Sequence, residues 1–71
     1  MRKEKLTLLL RTIRVDAKLT QGQLAQKIGQ SQSYVSKYES GEQRLDLLEL
    51  ELVCESLNIS LADFVDRYLE S

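Results

Sequence analysis

Apolar residues recur along the chain at helical intervals, and each run breaks off at a residue suited to ending a helix. Leu6, Leu10, Ile13 and Ala17 stand one, then two, then three turns along one face, which predicts a first helix over about residues 3–17. Thr20 opens the stretch TQGQ, a capping box in which the Thr20 hydroxyl and the Gln23 amide each satisfy an orphan backbone N–H. A second helix then carries Leu24, Ala25 and Ile28 inward and stops at Gly29, which is free to take the left-handed conformation beyond a helix end. Ser31 is placed to N-cap a third helix that ends at Gly41. Asp46 and Glu49 form a second capping pair, opening a fourth helix to about Leu57, with Asn58 as its left-handed stop. Ser60 and Asp63 open a fifth helix that runs almost to the end. The stretch LDLLELELV alternates as a strand does, but its length and its cap assign it to helix. The expected fold class is all-α, with five short helices in a single domain over residues 1–71.

The third of these segments, SQSYVSKYESG, is unusually polar. On a helical wheel Val35 and Tyr38 share the inward arc, while Gln32, Ser33, Ser36 and Lys37 share the opposite one. An ordinary solvated face is one reading of that arc. The other is a rigid row of short donors and acceptors that recognises a ligand. Two features favour recognition. The second and third helices, over about residues 20–41, are joined by three residues including Gly29, which is the helix-turn-helix arrangement. Leu24, Ala25 and Ile28 must meet Val35 and Tyr38 across that corner, and small Ala25 lets the two backbones approach. The third helix, so anchored, projects its polar row outward, where amide and hydroxyl groups can bond base edges in the DNA major groove.

Composition bounds the remaining possibilities. Seventy-one residues, 42% hydrophobic and 30% charged, suit one globular domain near the size limit for folding alone. No apolar run approaches the length of a membrane span, and the start MRKEKLTLLLRT returns to charge too soon for a signal peptide. The single cysteine, Cys54, cannot form an internal disulfide and points to a reducing cytoplasm. Histidine is absent, which excludes imidazole catalysis and Cys/His zinc sites; with no nucleophile–base pair in view, neither an enzyme nor a cofactor is expected. The net charge of −1 conceals a division. Residues 1–38 hold eight cations against Glu4 and Asp16, a net +6, whereas residues 39–71 hold Arg44 and Arg67 against nine carboxylates, a net −7. A basic half can attract a polyanion while the acidic half faces away.

The segments LRTIR, LTQGQLAQKIGQSQSYVSKYESGEQR and LVCESLNIS together resemble the Cro/Xre-type helix-turn-helix family of phage repressors and bacterial regulators, over roughly Leu6 to Phe64. The combination of LTQ, LA, a glycine and Val-x-x-Tyr-Glu-x-Gly at these spacings carries the likeness. It implies a lambda-repressor-like DNA-binding domain: a cytoplasmic, bacterial or phage-encoded transcriptional regulator, a repressor or autoregulator of a short palindromic operator. It also implies roles for matching positions. Gln21 would reach a phosphate and brace the third helix; Gln32, Ser33 and Lys37 would face base edges, with Ser36 between bases and backbone. Ser31, Tyr34, Ser40 and Arg44 would border the phosphates, and Arg14 would pair with Glu39 as a structural lock. Gly22 departs from the pattern, sitting where a helix former would serve better, and Arg44 is the only cation in the loop after Gly41.

Other residues have plainer readings. Tyr38 belongs to the core and Tyr34 to its edge; Cys54 reads as a small buried hydrophobe, and the carboxylates of the last two helices as a solvated face. Arg2 and Lys3 read as a fraying terminus or as an arm on phosphates. The last two helices carry more apolar residues than one small core needs. Leu47, Leu50, Val53, Cys54 and Leu57 share one face of the fourth, Leu48 and Leu52 another; the fifth offers Leu61, Phe64, Val65, Tyr68 and Leu69. Either these surfaces cover one another, or Leu48, Leu52, Phe64, Val65, Tyr68 and Leu69 form a homodimer interface. The competing function is a protein-interaction module or antitoxin-like regulator that keeps the fold, takes a protein partner and has little direct DNA role. The absence of any carboxylate between Gln30 and Lys37 favours DNA.

Overall fold

The computed structural model describes residues 2–70, and of residues 2 and 3 the backbone only. The expected reading of the Arg2 and Lys3 side chains, as frayed or as a phosphate-seeking arm, lies outside what it describes. The described residues form five helices and no strand: α1 (Arg2–Asp16), α2 (Gln21–Lys27), α3 (Gln32–Ser40), α4 (Leu47–Ser56) and α5 (Leu61–Glu70).

Local chemistry sets most of these boundaries. The Thr20 hydroxyl accepts from the Gln23 N–H at 3.1 Å while the Gln23 side chain accepts from the Thr20 N–H at 2.9 Å, so both halves of the α2 capping box are made. Asp46 and Glu49 do the same for α4, each bond 2.8 Å long. Ser31 caps α3 through its hydroxyl, and the Ser60 hydroxyl accepts the Asp63 N–H at the start of α5. Gly29 (φ 70°), Gly41 (φ 84°) and Asn58 (φ 59°) take the left-handed stops.

The end of α1 differs from the sequence expectation. Lys18 enters the left-handed region at φ 62°, its N–H bonded to the Val15 carbonyl and that of Leu19 to the Arg14 carbonyl. This reversal turns Leu19 back to pack against the core and leaves Ala17 exposed rather than extending the buried stripe of α1. Lysine carries no turn signal of its own, so periodicity ran past the stop.

One core joins all five helices: Leu10 and Ile13 from α1, Leu24, Ala25 and Ile28 from α2 and its C-cap, Val35 and Tyr38 from α3, Val53, Cys54 and Leu57 from α4 and its C-cap, and Phe64 from α5. Leu24, Val35 and Cys54 have no measurable exposure, which places Cys54 as packing. Ala25 is buried at 2% exposure, and among the described residues α2 and α3 form the most extensive helix pairing. Phe64 corrects an expectation: at 1% exposure it is spent on the protomer's own core and offers nothing to a second copy. Sequence placed it on a continuous apolar arc of α5, but only the inner edge of that arc meets α1 and α4. Among the described residues no helix is long and apolar enough to cross a membrane.

Candidate nucleic-acid interface

With Val35 and Tyr38 buried, α3 presents Gln32, Ser33, Ser36 and Lys37 to solvent, all four exposed. Ser31 lies at the head of the ridge, its hydroxyl 3.3 Å from the Tyr34 N–H that it caps. Ser40 lies at the tail, its hydroxyl donating to the Lys37 carbonyl at 3.0 Å. Gly41 then turns the chain, and the Glu42 and Gln43 N–H groups both return to the Lys37 carbonyl, at 2.9 and 3.2 Å. That folded loop holds Arg44 exposed beside half-buried Leu45.

The ridge is fixed in place from behind. Arg14 donates through Nε to Glu39 Oε2 at 2.7 Å and through Nη2 to Oε1 at 3.1 Å, a fork on a carboxylate. Its remaining nitrogen, Nη1, donates to the Leu19 carbonyl at 2.7 Å, so one side chain ties α1, the α1–α2 turn and the end of α3 together. The two side chains are 10% and 4% exposed. The hydrogen bond to Glu39 is the main reason the Arg14 guanidinium is pushed above its ordinary value, against the opposing effect of burial. Gln21 joins the same carboxylate, its Nε2 donating to Glu39 Oε1 at 3.1 Å. The side chain whose family role is to brace α3 and reach a phosphate is thus bonded to the end of α3, with one amide hydrogen still unspent.

Tyr34 is half-buried and stands edge-on to Tyr38, ring centroids 5.8 Å apart and planes at 77°. Its hydroxyl donates to Glu49 Oε2 at 3.0 Å. Burial first, and then that bond, push its pKa up to about 12. Glu49 therefore serves twice: one oxygen closes the α4 capping box and the other holds the edge of α3. The sequence showed the first of these roles through spacing; the second joins positions 15 apart and carries no local signal.

Sequence reasoning also passed over Arg11. It lines a cleft between α1, α2 and α3 with Arg14, Gln21, Ser36, Glu39 and Ser40. Its position three residues before Arg14, on the same face of α1, was the signal available.

The surfaces expected to pair copies divide. Leu48 (76%), Leu52 (45%), Val65 (41%) and Leu69 (70%) are exposed, as is neighbouring Leu47. Tyr68 is half-buried, with Lys5 Nζ 4.6 Å from its ring centroid.

Two short helices locked at a corner, the second presenting an exposed ridge of amide, hydroxyl and ammonium groups, define a helix-turn-helix DNA-binding domain. The helix-turn-helix family model matches residues 10–64, and the chain belongs to this Cro/Xre-type family of DNA-binding transcriptional regulators. Among solved structures it is similar to the clp gene regulator ClgR from Corynebacterium glutamicum, with 31% identity over 100% of this chain and 91% of that one and a TM-score of 0.87. It is also similar to the wild-type restriction-modification controller protein C.Esp1396I, with 26% identity, coverage of 99% and 92%, and a TM-score of 0.90. The same controller as a tetramer on its natural 35-base-pair operator superposes with a TM-score of 0.89, at 26% identity and coverage of 99% and 92%. Comparison with curated proteins gives no match.

Proposed function

We propose that this chain is a cytoplasmic, sequence-specific regulator that binds a short two-fold operator as a homodimer and acts as a repressor or autoregulator. Gln32, Ser33 and Lys37 read base edges from the major groove, and Ser36 serves bases or backbone. Gln21, Ser31 and Arg44 face the flanking phosphates, and Tyr34 and Ser40 border them with their hydroxyl hydrogens held by Glu49 and the Lys37 carbonyl. The observation that carries this reading is the outer face of α3: exposed, free of carboxylates from Gln30 to Lys37, and held rigid by the Arg14–Glu39–Gln21 cluster at its far end. Rigidity matters because base-edge hydrogen bonds discriminate only when donors and acceptors arrive in register. A tetramer of the similar controller on operator DNA supports both the DNA partner and self-association.

The homodimer uses the leucines and valine left exposed on α4 and α5. A two-fold pairing through this acidic, apolar side directs two copies of α3 the same way, suiting half-sites about 34 Å apart, one turn of DNA. Concentration, dimerisation, a protein partner or degradation would then switch the activity.

The test is fluorescence anisotropy with duplex DNA from upstream of the protein's own gene and with a scrambled duplex, across a salt series. Specific binding that survives physiological salt, at two chains per site, is the expected result for a dimeric autoregulator. Equal, weak binding to both duplexes that vanishes as salt rises would leave only counterion release and turn attention to the protein-interaction reading.

A further inference from the structure

The cleft between α1, α2 and α3 lies beside the reading ridge, sharing Ser36 and Ser40 with it and taking Gln21 from α2. Its floor is electrically quiet. Glu39 is forked by Arg14 and also takes the Gln21 amide, so no uncompensated carboxylate faces inward. Ser40 spends its hydroxyl hydrogen on the Lys37 carbonyl. What remains is a set of unspent donors: the Arg11 guanidinium, the Ser36 hydroxyl and the second amide hydrogen of Gln21. Among the described residues Arg11 makes no ion pair or hydrogen bond, although it is an exposed cation on a helix already rich in contacts.

From this arrangement we infer that the cleft is a seat for one backbone phosphate of the DNA duplex, with Arg11 as its cation. The inference rests on the DNA-binding reading of α3. Guanidinium is the side-chain group best shaped for a phosphate, giving two parallel hydrogen bonds from a planar fork. The neighbouring Ser36 hydroxyl and Gln21 amide add neutral donors, as phosphate seats beside a reading helix commonly do. Arg14, the other arginine of the cleft, is committed to Glu39 and cannot supply that charge without breaking the lock on α3. The contact carries no sequence information. It fixes how far α3 enters the groove and from which side, and it places α1 on the DNA together with α2, α3 and the Arg44 loop.

The test uses a mixed-sequence labelled duplex at low salt, because a phosphate seat does not depend on the operator. Anisotropy over a potassium chloride series compares the wild type with Arg11→Ala, Arg11→Lys and Arg67→Ala, the last a charge-matched control on α5, outside the cleft. Thermal melts check that each variant folds. A seated phosphate predicts that Arg11→Ala flattens the slope of log K against log salt by about 0.9, one phosphate contact. Arg11→Lys should keep that slope while binding several-fold more weakly than the wild type, and Arg67→Ala should keep both slope and affinity. An unchanged slope in Arg11→Ala, or an equal loss in Arg67→Ala, overturns the seat while leaving the α3 reading intact. A wild type that binds no duplex even at low salt overturns both.

Discussion

Arg14 and Glu39 show what single residues decide in this protein. Each is nearly buried, and each is stabilised by the other together with the Leu19 carbonyl and the Gln21 amide. Removing one partner leaves a charge without compensation in a place water hardly reaches. Glu39→Ala should therefore cost about 3 kcal/mol or more of unfolding free energy, read by urea titration, and it should also weaken DNA binding because α3 loses its anchor. An arginine–glutamate pair 25 residues apart was legible only through the family likeness; no spacing rule reaches that far. Cys54 offers a second test at this scale. Burial pushes its thiol from 9.0 up to about 11, and the Glu51 charge adds to the effect. The folded state thus holds a proton that the unfolded chain releases. The contribution to stability is complete below pH 9 and is lost as pH rises toward 11, so melting temperature should fall across that interval. In Cys54→Ala the part of the fall that starts about one unit below the tyrosine range should be lost, while the part due to Tyr34 and Tyr38, whose ordinary value is 10.0 and which burial also pushes up, should remain.

At the scale of elements, caps and stops did most of the specifying. The boundaries of α2, α3 and α4 were readable because Thr20, Ser31 and Asp46 are cap residues with partners three positions on, a local pattern with a local cause. The end of α1 was readable to within one residue, but not the left-handed turn at Lys18 that makes it, after which Leu19 rather than Ala17 packs against the core. The tie from Tyr34 to Glu49 and the burial of Phe64 were hidden for a similar reason: both depend on how α4 and α5 meet the helix-turn-helix unit. Gly22 supplies the prediction here. A methyl group at this position would meet only the Thr20 hydroxyl oxygen, at an ordinary 3.9 Å, and the residue lies within α2. Gly22→Ala should raise stability by roughly 0.5–1 kcal/mol, visible as a higher melting temperature, with no change of fold.

Charge and apolar surface are divided along the chain in the way that the proposed DNA face and the proposed dimer face require. The basic first 38 residues contain α1, α2 and most of α3, while the acidic remainder forms α4 and α5, where Leu48, Leu52, Val65 and Leu69 stay exposed. A small domain gains stability by covering such a surface, and pairing doubles its contacts with DNA. Leu69→Asp, at a position 70% exposed, should leave the protomer folded by circular dichroism, shift sedimentation from dimer to monomer and weaken operator binding at least tenfold. A variant that stays dimeric would move the interface elsewhere.

The most direct test of the central claim is selection from randomised duplexes with the wild type and with Gln32→Ala. Recognition through α3 predicts that the wild type enriches a two-fold symmetric sequence with half-sites one helical turn apart. Gln32→Ala should then lose preference at one position of each half-site, at a cost of about 1–3 kcal/mol, while the rest of the sequence persists. Enrichment of no sequence by the wild type, or of an identical sequence by the variant, would contradict the account.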